Sequence, residues 1–165
     1  MSSTDELNEA ERQLKEKLVE LRAMYRQGKA TLADALPIHS EELEQMYAFG
    51  LQCLKVEKDQ QAATVLSTLA MLSPYDVRHW RALGLALQKI ERPSLALASF
   101  EMALCIEPVD VPTLTYRGET YILLGRKVEA RRDLEAVLAL KPESAELLPF
   151  VTRAKGLLPF TLVTA

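Results

Sequence analysis

The sequence predicts an all-α fold, a solenoid of stacked helix hairpins, and three recurrences carry that prediction. Glycines stand at Gly50, Gly84 and Gly118, alanines at Ala62, Ala96 and Ala130, and prolines at Pro74, Pro108 and Pro142, each triple on a 34-residue period. A glycine inside the helical stretch PYDVRHWRALG, residues 74 to 84, costs about 1 kcal/mol relative to alanine. Close approach of two helix backbones is the compensation it implies.

Along the chain, residues 5 to 27 come first and place Leu7, Leu14, Leu18, Leu21 and Tyr25 at helical spacing between charged residues, which predicts an amphipathic helix. That stripe suits a cap on the first repeat, a flexible arm or a dimer contact. The connector TLADALP comes next, and Ser40 is placed to cap the helix that begins EELEQMY. Three two-helix units are expected at 43–76, 77–110 and 111–144, after an N-terminal segment at 1–42 and before a C-terminal capping helix and apolar tail at 145–165.

The second unit reads Trp80, Leu83, Gly84, Leu87, Ala96, Phe100, Ala103 and Pro108, which resembles the tetratricopeptide signature at all eight positions. The first reads Met46, Phe49, Gly50, Cys53, Ala62, Leu66, Leu69 and Pro74; the third reads Leu114, Arg117, Gly118, Tyr121, Ala130, Leu134, Val137 and Pro142. Arg117 is the one departure in kind. The prolines stop each second helix, and Asp76, Asp110 and Ser144 are expected to N-cap the next helix in each case. In the terminal segment AELLPFVTRAKGLLPFTLVTA, Pro149 should delay or kink the helix, and the uncharged end either packs on the last helix or enters a peptide groove.

Composition narrows the function. The 165 residues are 48% hydrophobic and 26% charged, with net charge −3, which suits one soluble domain whose partners are proteins or peptides, not nucleic acid. Cys53 and Cys105 lie apart in helical patterns, giving no disulfide framework or zinc site. The charged N-terminus does not read as a secretory signal, and no apolar run reaches the roughly 20 residues needed to cross a bilayer, so a cytoplasmic location without membrane insertion is expected. His39 and His79 are isolated, and no nucleophile and base pair or glycine-rich phosphate loop is evident. We therefore expect no catalytic residues, no metal and no cofactor.

The repeat register identifies the groove-facing positions on each first helix. They are Glu44, Tyr47, Leu51 and Leu54; Arg78, Arg81, Leu85 and Gln88; then Pro112, Thr115, Glu119 and Ile122. The signature residues already fill the core, so Tyr47, Leu51, Leu54 and Leu85 are left to form an apolar groove floor. Arg78, Arg81 and Glu119 supply polar edges.

The order of segments, with LEQMY before the first glycine and SPYDVRHWRALG between the first two units, resembles the class II chaperones of bacterial type III secretion over nearly the whole length. The resemblance implies a cytoplasmic carrier of pore-forming translocators that holds a proline-x-leucine-x-x-proline segment in its groove, with Tyr47, Leu51 and Leu54 at the matching positions. Relatives often carry aromatics at the positions of Leu51 and Leu54, and an apolar residue at that of Arg81. A homodimer through the leading helix and release without ATP fit the same picture. Two other readings are a chaperone of needle or other secretion subunits, cradling an amphipathic helix, and a general tetratricopeptide adaptor. For an adaptor that reads acidic C-termini, Leu51, Leu85 and Glu119 make a poor carboxylate clamp.

Overall fold

Three sharp reversals, 34 residues apart, turn the chain back on itself. Glu57, Glu91 and Gly125 take φ of 60°, 59° and 71°, the left-handed conformation that ends a helix. At each, the next residue's N–H reaches back five positions: Lys58 to Cys53, Arg92 to Leu87 and Arg126 to Tyr121, at 2.9, 2.8 and 2.8 Å. Only the third turn uses glycine, so the first two hold glutamate where an L-residue is strained.

The computed structural model describes residues 12, 16, 19, 20, 23, 24, 26–142 and 144–162. Its helices are α1 (Leu32–Ala35), α2 (Ser40–Lys55), α3 (Asp59–Leu72), α4 (Val77–Lys89), α5 (Pro93–Ile106), α6 (Val111–Leu123), α7 (Lys127–Leu140) and α8 (Leu148–Leu157). A short 3-10 turn, Leu158–Thr161, comes after α8. The described residues between 12 and 26 are helical, but the predicted stripe Leu7, Leu14, Leu18, Leu21 and Tyr25 lies outside the described residues, and with it the dimer contact.

The all-α solenoid holds. Helices α2 and α3, α4 and α5, and α6 and α7 pack as hairpins, and each hairpin packs on the next. The glycines sit where the two helices of a hairpin meet. A Cβ at Gly50 would stand 2.8 Å from Leu66, at Gly84 2.3 Å from the Phe100 ring, and at Gly118 2.9 Å from Leu134. Ala62, Ala96 and Ala130, with Leu66, Phe100 and Leu134, are fully buried, forming the repeated core.

Helix starts obey local chemistry with two corrections. The Asp76 carboxylate accepts from the Arg78 N–H and that of Asp110 from the Thr113 N–H, both at 2.9 Å, capping α4 and α6. At α2 the cap position is His39 rather than Ser40, because Glu42 folds back to accept from the His39 N–H at 2.7 Å. Ser144 does not cap α8 either. That helix starts later, at Leu148, with Pro149 in its first turn where a missing N–H costs nothing. The Ser144 carbonyl instead accepts from the Leu147 N–H at 3.0 Å in the preceding turn.

Arg117 departs from the signature because its partner departs too. It donates to Asp133 through Nε at 2.6 Å and Nη2 at 2.8 Å, a bidentate pair joining α6 to α7 with the aspartate side chain 3% exposed. The equivalent positions are Leu83 and Ser99 in the second unit and Phe49 and Val65 in the first. The 3-10 turn packs against α7 and α8, and Lys127 Nζ donates to the Leu162 carbonyl at 3.0 Å. Residues 158 to 162 of the tail thus dock on the last hairpin.

Candidate peptide-binding groove

Because every first helix presents the same face, their side chains combine into one trough of about 750 Å³. Helix α2 contributes Tyr47 and Leu51, α4 contributes Arg81 and Leu85, and α6 contributes Pro112 and Tyr116. Leu147 and Phe150 come from the start of α8. A smaller hollow of about 460 Å³ continues from it, lined by Leu54, Leu85, Gln88, Lys89, Tyr116 and Arg153. Leu51 remains 39% exposed, apolar surface that the fold itself does not bury.

Two tyrosines form the walls, and each is held by an arginine 31 or 37 positions later on a neighbouring helix. The Arg78 guanidinium lies 5.1 Å from the Tyr47 ring centre, and that of Arg153 lies 5.7 Å from the Tyr116 ring centre. Both arginines are anchored by a glutamate 34 positions earlier: Arg78 Nη2 is 2.5 Å from Glu44, and Arg153 Nη2 is 2.6 Å from Glu119. The same glutamate, arginine and tyrosine device therefore occurs at both ends of the groove. Buried His79 packs on Tyr47 with ring centres 5.5 Å apart, and Phe150 meets Tyr116 edge-on at 5.6 Å.

Electrostatics keep these walls neutral. Burial pushes both hydroxyls, of Tyr47 and of Tyr116, above the ordinary tyrosine range, against the pull of nearby arginines. They stay protonated at neutral pH and can donate to a bound carbonyl. Arg81 bridges to Asp110 with Nη1 at 2.8 and 2.9 Å from the two carboxylate oxygens, placing a paired charge within the trough. Arg78 is raised above its ordinary range by hydrogen bonds to Asp76 and then Glu44. Among the described residues, no group of three or more His, Cys, Asp or Glu could hold a metal ion.

No protein-family model matches the chain. It is 28% identical over 123 residues to low calcium response locus protein H of Yersinia pseudotuberculosis, covering 73% of each chain. The translocator chaperone SycD of Yersinia enterocolitica superposes with a TM-score of 0.73 at 25% identity, over 79% of this chain and 97% of that one. In sequence and in fold this chain is similar to the type III secretion translocator chaperones. A type III secretion complex from Aeromonas hydrophila shares the fold, with a TM-score of 0.78 at 22% identity over 86% and 94% of the two chains. SycD has also been solved with a peptide of the translocator YopD; that structure superposes with a TM-score of 0.70 at 24% identity, over 76% and 96% of the two chains.

In this chain the groove positions inferred from the register divide by repeat. Tyr47, Leu51, Leu54, Arg81, Leu85 and Gln88 line the trough or its extension, while Arg78 stands behind Tyr47. Glu119 contributes only by anchoring Arg153. Thr115 is a correction, while Ile122 is half-buried on the inner side of α6. Thr115 is fully buried, its hydroxyl donating to the Val111 carbonyl at 2.9 Å, and Ile122 packs into the cores around Leu134 and Tyr121. Helix α8 causes the shift, because it packs on α6 and brings Phe150 against Tyr116, the residue that takes over the lining. Tyr116 carried a signal: it stands where the other units have Ala48 and Ala82. Leu147 and Phe150 had none, since they flank a proline outside the repeat.

Proposed function

We propose that this protein is a cytoplasmic chaperone of type III secretion translocators, with no enzymatic step, that holds an extended client segment in the trough. The observation that carries the reading is an open apolar floor, Leu51 and Leu85, between two arginine-braced tyrosine walls. Neutral hydroxyls on those walls can bond the backbone of an extended strand, whose own polar groups need partners once water is displaced. Leucine or proline side chains of the client would enter the floor. Three such anchors at about 1.5–3 kcal/mol each supply about 5–9 kcal/mol gross, so reaching micromolar affinity, about 8 kcal/mol net, takes the strand's backbone hydrogen bonds as well, to offset the ordering costs. A carrier of this kind covers client surface that would otherwise aggregate or insert early, and release needs only competition for the segment.

The test is co-expression with the cognate translocator. Tyr47→Ala combined with Leu51→Asp should abolish co-purification and send the client to the insoluble fraction while helical content and melting stay those of a folded repeat protein. Undiminished recovery of the complex with that variant overturns the proposal.

A further inference from the structure

The trough carries a charge imbalance that its apolar floor does not use. Arg81 and Asp110 neutralise one another across 2.8 Å, with side chains only 23% and 9% exposed. Two more acidic residues line the exposed rim of the same space, Glu107 from the loop between α5 and α6 and Glu146 from the turn before α8. Among the described residues neither has an ion-pair partner, although cations elsewhere in the groove are taken: Arg78 by Glu44 and Asp76, Arg153 by Glu119. An apolar cleft lined with one sign of uncompensated charge selects the opposite sign in its ligand, because low-dielectric walls strengthen the field and repel like charge.

We propose that the segment occupying this trough carries a lysine or arginine beside its apolar anchors, and that Glu107 and Glu146 receive it. The inference rests on the groove being the client site, and adds to that reading a charge preference at one flank. Glu107 and Glu146 act as specificity residues; the apolar floor supplies most of the affinity.

Fluorescence anisotropy with the full-length protein tests it. The probes are fluorescein-labelled peptides sharing the core Ala-Pro-Ala-Leu-Ala-Ala-Pro-Ala, with two lysines, two glutamines or two glutamates on either flank. At about 50 mM salt the lysine form at one flank should bind about threefold to tenfold tighter than the glutamine form, and the glutamate form weaker still. The lysine advantage should vanish at about 500 mM salt and in the Glu107→Gln/Glu146→Gln variant, whose glutamine-peptide affinity stays unchanged. Equal affinity for all three forms, preference for glutamate, or a lysine advantage that survives the double variant overturns this inference and leaves the groove reading standing. Failure of every peptide to bind, or binding indifferent to Leu51→Asp, overturns both.

Discussion

Gly84→Ala is the most direct probe of what holds the repeats together. An alanine Cβ would lie 2.3, 2.6 and 2.7 Å from three atoms of the Phe100 ring, where carbon contacts settle at about 3.5–4.0 Å. Phe100 is fully buried, so the ring cannot swing clear and the α4 and α5 backbones must spread. Overpacking of this size belongs at the upper end of its range, about 3 kcal/mol. Alanine returns about 1 kcal/mol of helix propensity, leaving a net loss of about 2 kcal/mol and a melting temperature lowered by about 4–8 °C. Gly50→Ala meets Leu66 Cδ2 at 2.8 Å and Cγ at 2.9 Å, a shallower overlap than at the Phe100 ring, so although Leu66 is fully buried too it should cost less. Thermal unfolding followed by circular dichroism, with denaturant titration alongside, measures both. A Gly84→Ala protein as stable as the parent, or one no worse than Gly50→Ala, would refute the close-approach argument.

The ion pairs give two further expected outcomes. Asp133→Ala leaves the Arg117 guanidinium, whose side chain is 20% exposed, without its counter-ion and should cost about 3 kcal/mol, whereas Arg117→Leu with Asp133→Ser, which copies Leu83 and Ser99, should stay within about 1 kcal/mol of the parent in denaturant titration. Burial alone would raise the Asp76 carboxyl, but hydrogen bonds from the Arg78 side chain and backbone hold it below its ordinary value of 3.8, so its contribution to stability is present above that value and is lost as pH falls below it. Melting temperature plotted against pH should therefore fall on the acid side less steeply for Asp76→Asn than for the parent.

How much was legible in the sequence differs between fold and site. The 34-residue recurrence alone located the hairpins, because glycine, alanine and proline at fixed spacing each answer a local or nearest-neighbour demand: close approach, small volume, helix stop. The groove residues of the first two units were readable for the same reason, since α2 and α4 are flanked by repeats that keep the register. Arg117 was visible only as an anomaly, because its explanation, Asp133, lies sixteen residues away on another helix.

The sequence by itself determined that this is a repeat protein and which face of its early helices stays apolar and open, since both depend on residues repeating against their own neighbours. Tertiary structure alone decided how the groove ends. There the repeat stops, α8 starts late behind Pro149, Thr115 is buried, and Tyr116 with Phe150 closes the wall. Periodicity specifies what a repeat does to the next repeat; past the third unit, the packing of a helix that breaks the register sets the surface, and no spacing in the chain encodes it.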